Sequence, residues 1–325
     1  MILTKEHNYK IFWGLSLLTV ALFWIAGLIK FLIFILFSHL FYDVFSSFLV
    51  KNTKICKKNS IRISSFALVL IIGLLTFYIS SYLISNYAES QKSLIQVFNQ
   101  RMLELSDNWG INFNFSKIKY FVLDYLKKDF KTSFLVANTF VRTVFLLIMA
   151  VVVNHAFFLK NTTQETLNDN FYIKFSNFIS LKSHQYYLAF KKVITAQMII
   201  SAINTFLSFF ILFALGFPFK IALLLLIFMA GLIPVLGNLV SNTVICAVAF
   251  IYLGIPEVII SLIFLLVIHK LEYLLNSKII GNKIDIPMYQ ILLTIILGEA
   301  ILGINGIIIA VPTLLFIKEQ FKKIS

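Results

Sequence analysis

The sequence predicts an all-α protein that crosses a membrane several times, and three observations support this prediction. Of the 325 residues, 60% are hydrophobic and only 13% are charged. The mean hydropathy is +0.92. Several apolar runs reach the roughly 20 residues that a helix needs to cross a bilayer. The apolar residues form continuous blocks, whereas a membrane β-barrel has short segments of alternating polarity.

The charged residues agree with this class. The net charge is +14, and the Lys and Arg residues are spread over the loops, as in the cytoplasmic loops of membrane proteins. Nucleic-acid binding would instead gather them on one face. Cys56 and Cys246 imply no disulfide framework. The sequence shows no nucleotide-phosphate loop, no paired metal-ligand histidines and no nucleophile triad. We therefore expect no cofactor, no metal and no enzymatic activity.

The N-terminal region, residues 1–86, predicts three membrane helices. Two apolar runs, at about 11–29 and 31–50, precede a loop at 51–62 that carries five basic residues and no acid. Basic loops lie on the cytoplasmic side, so this loop is expected there. Since two membrane passes precede the loop, the N-terminus is expected on the same side. A third helix, about 63–86, then leads outwards.

Residues 87–133 predict an amphipathic helical insertion on the outer side, because apolar stripes alternate with mixed charges. The stripes pack on the membrane region or lie at the lipid interface; a cap that receives substrate is the alternative. Residues 134–190 predict a fourth spanning helix, about 134–159, followed by helices along the cytoplasmic surface. His155, near the end of that helix, is expected to be a satisfied interfacial residue, with a functional role as the alternative.

The last region, residues 191–325, begins with a fifth spanning helix at about 191–215. One face of this helix is polar, since its polar residues follow helical spacing. Such a face meets other helices or water, which leaves two explanations: interhelical hydrogen bonds or a substrate path. The residues of this face are Gln197, Ser201, Asn204 and Ser208.

An apolar run at 220–252 is too long for one span and is interrupted at its centre. Proline removes a backbone donor and clashes with the preceding helical turn, and glycines permit the resulting bend. The freed carbonyl groups must face protein or a water-filled cavity. The residues of the break are Gly231, Pro234, Gly237, Asn238 and Asn242.

After a spanning helix at 257–276, a second long run at 287–317 is also interrupted, around Gly298, Glu299, Gly303, Asn305 and Gly306, before Pro312. Charge placement makes each run a helical hairpin, and the two hairpins enter from opposite faces. The predicted fold therefore has about five full spanning helices and two broken hairpins in an inverted repeat. Such paired breaks point to the binding site of a transporter; ordinary short helices packed through glycine are the alternative.

Three segments carry a resemblance to a known family: GLIPVLGNLV (231–240), LEYLLNSKIIGNKIDIP (271–287) and LGEAILGINGIIIAVP (297–312). The sequence resembles the autoinducer-2 exporter family of bacterial permeases over nearly the whole chain. Glu272 matches the acid of that family's Leu-Glu segment. Ser277 stands where a proline is usual, and Glu299 where a small residue is usual, so the family does not support Glu299 as a shared site. The resemblance implies transport of small polar molecules or cation–proton exchange.

We therefore expect a secondary transporter, in the exporting direction, of a small polar molecule or cation across the bacterial inner membrane. Coupling to protons or sodium is expected, and both termini are expected in the cytoplasm. The partners would be membrane lipid and the solute; a homo-oligomer is left open, and nucleic acid is not expected. A passive channel or an envelope scaffold is the alternative. A lipid-modifying enzyme is disfavoured because the intramembrane polar residues are mostly amides and hydroxyls.

The expected solute or ion pathway lies between the two hairpin tips. Burial would favour the protonated form of Glu299, which could then carry a proton; alternatively, Glu299 reaches an interface or pairs with Lys270 or Lys278. Structural or gating roles are expected for Lys270, Glu272 and Pro312. The pathway residues are Asn204, Gly231, Pro234, Gly237, Asn238, Asn242, Gly298, Glu299, Gly303, Asn305 and Gly306.

Overall fold

The computed structural model describes residues 2–25, 27–53, 55–77, 100, 129–160, 171–234, 236–276 and 286–322. All regular secondary structure in these ranges is helical. Apart from residue 100 and the start of the fourth helix, the predicted insertion at 87–133 lies outside them. The helices are α1 (Ile2–Ile25), α2 (Ile29–Thr53), α3 (Lys57–Phe77), α4 (Asp129–Lys160), α5 (Phe171–Ala214), α6 (Lys220–Gly231), α7 (Leu236–Tyr252), α8 (Ile255–Asn276), α9 (Met288–Leu302) and α10 (Ile304–Phe321).

Five helices are long and apolar enough to cross a membrane: α2, α3, much of α4, nearly all of α5, and α10. Helices α6, α7 and α9 are apolar but shorter. The predicted class, an all-α protein with several membrane-spanning helices, is confirmed. The predicted turn between the first two helices also lies where expected, with Gly27 at φ 67° between α1 and α2.

Helix α5 differs most from the sequence-based interpretation. We expected surface helices up to residue 190 and a separate spanning helix from 191, but one helix of 44 residues runs from Phe171 to Ala214. The physical reason is that this segment contains no glycine or proline, so the change in polarity near 191 interrupts no backbone hydrogen bonds. At 1.5 Å per residue, α5 is about 66 Å long, roughly twice the hydrocarbon thickness of a bilayer, and must extend beyond it.

The chain forms two compact units, and the boundary between them falls within α2. The first unit comprises Met1–Leu36 and Thr162–Ser325, and the second comprises Phe37–Asn161. In the first unit, α5 is the central helix, and α1, α6, α8 and α10 all pack against it. In the second unit, the end of α2 contacts α4 through the Tyr42 hydroxyl, which donates to the carbonyl of Val151 at 3.1 Å.

Helices α6 and α7 form the first hairpin. A turn at Gly216, with φ 69°, reverses the chain after α5, and α6 then runs back along α5. A buried apolar cluster holds α5, α6 and α7 together and so fixes the base of the hairpin. The members of this cluster are Leu212, Phe217, Leu223, Ile227, Ile245 and Ala249.

Helices α9 and α10 form the second hairpin, which turns at Gly303 with φ 59° and ψ −143°. The two helices touch through their backbones, since a Cβ atom added at Gly306 would lie 1.8 Å from the carbonyl oxygen of Gly298. Only glycine permits this approach. The hairpin packs on α5 through a buried apolar cluster of Ala189, Val193, Ile295, Ala310, Val311 and Leu315.

The two hairpins approach the middle of α5 from its opposite ends. Helix α10 runs antiparallel to α5: Lys182 bonds to Gln320, and Tyr186 lies 3.1 Å from Thr313 in the same register. Counting 1.5 Å per residue along both helices from these two pairs places the turn of the second hairpin at about the level of residue 200 of α5. The first hairpin, from the other end, brings Gly231 against Ser201. This arrangement agrees with the predicted inverted repeat.

Candidate functional site

The polar face of α5 lies inside the first unit. Gln197, Ser201, Asn204 and Ser208 are each at most 3% exposed, whereas the apolar side chain of Phe206 is 63% exposed. A spanning helix normally turns its apolar face to lipid and its polar face to protein or water. The sequence spacing therefore identified correctly which face of α5 is buried.

Ser201 fixes the first hairpin at the middle of α5. Its hydroxyl donates to the carbonyl of Phe228 at 2.6 Å. A Cβ atom added at Gly231 would lie 2.5 Å from Ser201 Oγ, so the glycine allows the end of α6 to touch α5. The serine hydroxyl also satisfies a carbonyl close to the end of α6 that would otherwise depend on water.

The turn between α6 and α7 places Asn238 in the interior. Pro234 and Gly237 are both buried. A Cβ atom added at Gly237 would lie 2.0 Å from the carbonyl oxygen of Ala230, so the two arms of the hairpin touch directly. Because Asn238 follows Gly237 at the start of α7, its side chain enters the protein beside α5.

A chain of hydrogen bonds joins an amide on α5, an amide on α7 and a carboxylate on α8. Asn204 Nδ2 donates to Asn238 Oδ1 at 3.3 Å. Asn238 Nδ2 in turn donates to Glu272 Oε2. The three residues are 2%, 4% and 6% exposed, respectively. We call Asn204, Asn238 and Glu272 the amide–carboxylate cluster.

Further polar groups surround the amide–carboxylate cluster. Ser241, whose hydroxyl donates to the carbonyl of Asn238 at 3.2 Å, and Asn242 are both buried on α7 within about one turn of Asn238. Ser261 is also buried, but it lies on α8 about three turns before Glu272. Within the described residues, Asn204 Oδ1 and Ser261 Oγ are buried without a hydrogen-bond partner. Leaving a buried polar atom unpaired costs about 1–3 kcal/mol, so such atoms indicate a position where a ligand or water binds.

The chemistry of these groups limits what they could bind. Carboxylate, amide and hydroxyl oxygens suit alkali or alkaline-earth cations and hydroxylated solutes, and amide N–H groups can also donate to a solute. The soft or imidazole ligands that favour transition metals are not part of this site. In the described ranges, no group of three or more His, Cys, Asp or Glu side chains is placed to hold a metal ion.

The structure does not bring Glu299 to the amide–carboxylate cluster. Its side chain is exposed on α9, on the same face as the exposed side chain of Ile296 one turn earlier. Gly298 and Gly306 form the backbone contact within the second hairpin, and Asn305 is half-buried near its turn. The roles of these residues in a pathway stay predictions.

The three residues expected to be structural or gating occupy different places. Glu272 belongs to the amide–carboxylate cluster, Lys270 is exposed on the same helix, and Pro312 is buried inside α10. Lys278, an expected alternative partner of Glu299, lies outside the described residues. From the sequence, Glu272 was not grouped with Asn238, and Ser261 was not singled out. A signal was present on α8, where Ser261, Ile268 and Glu272 are spaced by 7 and 4 and are all buried.

The protein has membrane-spanning helices and two hairpins that enter towards the middle of α5. A buried polar cluster lies where the tip of the first hairpin meets α5 and α8. Together these features define a membrane transport protein. A family model described as AI-2E family transporter matches residues 12–325. The chain therefore belongs to the AI-2E family of transporters, and the resemblance seen in its sequence is confirmed.

Three curated relatives match parts of the chain. The "Putative transport protein YdbI" of Bacillus subtilis (strain 168) is 33% identical over 131 residues, which is 40% of this chain and 37% of that protein. The "Putative transport protein" of Thermotoga maritima is 26% identical over 138 residues, or 42% of this chain and 43% of that protein. The match to "Putative transport protein MT0215" of Mycobacterium tuberculosis is 30% over 103 residues, 31% of this chain and 28% of that protein. Each match thus spans less than half of the relative.

Proposed function

We propose that the chain is a secondary transporter that exports a small polar molecule or a cation across the bacterial inner membrane. The observation that carries this proposal is the amide–carboxylate cluster, buried where the tip of the first hairpin meets α5 and α8. Ionisable and amide groups inside a membrane protein are costly and commonly mark a substrate or ion path. Broken helices at such a place supply further backbone groups that can hold a solute or ion.

The contacts of the cluster favour a position for the solute beside Asn204 and Asn238. Asn204 Oδ1 is an available acceptor, and Glu272 supplies a carboxylate that can hold a cation or a proton. The second hairpin, approaching from the other end of α5, would close the site from the opposite side. Its residues Gly298, Gly303, Asn305 and Gly306 are proposed to form that side.

Glu272, rather than Glu299, is the stronger candidate for coupling. Glu272 is 6% exposed and is hydrogen-bonded to Asn238, whereas Glu299 is exposed at the surface of α9. A group that binds a proton or cation in competition with solute must share contacts with the solute position. Only Glu272 does so among these two acids.

The proposed direction of transport and the proposed orientation of the chain in the membrane rest on other features. Export follows from the resemblance to the exporter family, and the inner membrane follows from the same source. The basic residues of the 51–62 loop, together with Lys318 and Lys322 at the end of α10, support cytoplasmic termini. Since the site is made of amides, hydroxyls and one acid, we propose transport without enzymatic conversion of the solute.

Flux into proteoliposomes tests this function. The purified chain would be reconstituted and assayed with a panel of small polar solutes and with Na⁺ and K⁺ under imposed proton or sodium gradients. Saturable flux that responds to one gradient supports the proposal. Linear flux that responds to neither would show a passive channel, and no flux above empty vesicles for the whole panel would favour an envelope scaffold.

The amide–carboxylate cluster itself is tested with Asn238→Ala. We expect the flux to fall at least about tenfold, since one solute contact and both hydrogen bonds of the cluster are lost. Thr243→Ala, on the exposed side of the same helix, is the matched control and should retain flux. Equal flux in the two variants would contradict the proposed location of the site.

A further inference from the structure

The base of the second hairpin contains a cleft that the proposed transport site does not use. Near the turn, the backbones of α9 and α10 touch at Gly298 and Gly306. At the other end, where α9 begins and α10 ends, a cavity of about 390 Å³, here called the hairpin-base cleft, lies between the two helices. Its volume falls within the roughly 300–1,000 Å³ that is usual for small-molecule sites. Its lining residues are Ile286, Pro287, Gln290, Leu314, Ile317, Lys318 and Phe321.

The hairpin-base cleft opens at the surface of the hairpin and not towards α5. Ile317 and Phe321 of the lining are 44% and 68% exposed. The side chains of Thr313 and Gln320, through which α10 contacts α5, do not line the cleft. An occupant would therefore enter from the surroundings of the hairpin, which in a membrane are lipid.

The lining combines an apolar wall with two polar groups. Five of the seven lining side chains are apolar, and the polar groups are the Gln290 amide and the Lys318 ammonium. None of these seven described residues is acidic. An ammonium pairs with an anionic oxygen, an amide N–H donates to the same oxygens, and apolar walls bury methylene groups. The lining therefore fits a molecule with an anionic head and a hydrocarbon chain.

The charges near the hairpin-base cleft also favour an anion. Lys322 follows Lys318 by one turn of α10. On the described residues of α9 and α10, the acids are Glu299, near the turn, and Glu319. Glu319 projects about 100° further round the helix than Lys318 and does not line the cleft. Lysines in the last turn of a helix complement its dipole, but the dipole does not account for an apolar cavity beside Lys318.

The cleft lies at the depth where lipid headgroups are expected. Helix α9 has 15 residues and is about 22 Å long, which is more than half of the roughly 30 Å hydrocarbon layer. A hairpin that turns near the middle of α5 therefore has its base at a membrane surface. Tyr289, which is 67% exposed, and Lys318 lie at this base, and Tyr and Lys are typical of the membrane interface. Basic pockets between membrane helices on the cytoplasmic side bind anionic headgroups.

We propose that the hairpin-base cleft binds an anionic phospholipid of the cytoplasmic leaflet. Lys318 pairs with the phosphate, Gln290 donates to the phosphate oxygens, and the first part of an acyl chain lies along Leu314, Ile317 and Phe321. Because the lining comes from both arms, the bound lipid links α9 to α10 at the end where a cavity separates them. The site is distinct from the amide–carboxylate cluster and does not rest on the proposed transport function.

Native mass spectrometry of the full chain in detergent, with phosphatidylglycerol and phosphatidylcholine added in turn, tests the proposal. The tightest site of the wild type should prefer phosphatidylglycerol about fivefold or more, the effect of roughly one lysine beside an anionic lipid. Lys318→Gln should lose this preference, and Lys318→Arg, which keeps the charge, should retain it. Equal binding of the two lipids by the wild type, or an unchanged preference in Lys318→Gln, would overturn the proposal.

Lys270→Gln is the matched control, because it removes the same charge from an exposed position on α8 that does not line the cleft. Its preference for phosphatidylglycerol should equal that of the wild type. A loss as large as that in Lys318→Gln would mean that binding follows the overall charge of the protein, and the assignment to the cleft would be wrong.

A phosphatidylglycerol with a photoreactive group near the start of its acyl chain shows where the lipid lies. Labelled peptides of the wild type should include 286–290 or 314–321, and an excess of inorganic phosphate should not prevent this labelling. Labelling confined to other peptides would overturn the location. Prevention by phosphate would show a site for the free anion and contradict a lipid. None of these readouts uses solute flux, so their failure is distinguishable from failure of the proposed transport function.

Discussion

The side-chain amide of Asn238 forms hydrogen bonds to two other helices. Its oxygen accepts from Asn204 of α5 and its nitrogen donates to Glu272 of α8. Asparagine is suited to this position because it has a donor and an acceptor at one end of a short side chain. Aspartate would lose the donor to Glu272 and place two carboxylates in contact. The residue therefore decides both how the helices meet and how much charge the site contains.

Glu272 and Glu299 should differ in their effect on coupling. We expect Glu272→Gln to abolish the part of the flux that a proton or sodium gradient drives, because the buried acid beside Asn238 is removed. Glu299→Gln should retain it, because the side chain of Glu299 is exposed on α9 and contacts no member of the amide–carboxylate cluster. Gradient-driven flux in proteoliposomes gives the comparison. Loss of coupling in Glu299→Gln alone would transfer the coupling role to Glu299.

At the scale of the helical elements, close backbone contacts shape both hairpins. The second hairpin depends on Gly298 and Gly306, and the first on Gly231 and Gly237, where an added Cβ would overlap a neighbouring atom. The sequence showed glycines near both breaks. It did not show which of them touch, since contact depends on how the two arms of each hairpin cross.

Gly306→Ala should destabilise the second hairpin. The added methyl group would overlap the backbone of Gly298, which cannot move as a side chain can, so the cost should reach about 1–3 kcal/mol or more. Gly73→Ala in α3 is the control, because nothing lies within 4 Å of the added methyl group. Thermal unfolding in nanodiscs should show a lower midpoint for Gly306→Ala only. Equal midpoints would mean that the two arms do not touch there.

The continuity of α5 also has a measurable consequence. Leu181 and Ile199 are both exposed and are separated by five full turns, so they lie on one face of a continuous helix. Spin labels at these two positions, in a chain whose native cysteines are replaced, should be about 27 Å apart with a narrow distribution. A surface helix that bends into a spanning helix near 191 would give a shorter and broader distribution, contrary to the structure.

At the scale of the whole first unit, the two hairpins approach the middle of α5 from its opposite ends. The base of the first hairpin includes the exposed Phe219, and the base of the second includes the exposed Tyr289. Alternating access in transporters often uses such an inverted arrangement around one fixed site. In this arrangement the amide–carboxylate cluster, at the tip of the first hairpin, is the proposed position of the solute.

Labelling from each side of the membrane tests the inverted arrangement. In a chain whose Cys56 and Cys246 are replaced, Phe219→Cys should react with a membrane-impermeant thiol reagent added to intact cells. Tyr289→Cys should react only after the membrane is opened, because the basic residues near both ends of the second hairpin favour a cytoplasmic position for its base. If both cysteines reacted from the same side, the two hairpins would enter from the same face.

The sequence by itself determined the class of the protein, several of its helix ends, the polar face of α5 and the two breaks at which the hairpins turn. These features depend on neighbours along the chain: hydropathy, helical spacing, and the backbone chemistry of glycine and proline. For the same reason the sequence predicted a break near residue 191, where a change in polarity resembles the end of a helix that in fact continues.

Only the tertiary structure decided which polar residues belong together. Asn238 is separated by 34 residues from Asn204 and by 34 from Glu272, and the three meet because α5, α7 and α8 pack together. Glu299 was the more prominent acid in the sequence because it interrupts an apolar run, yet α9 turns it to the surface. Which face of a helix meets its neighbours depends on packing over the whole unit, and a local pattern does not contain that information.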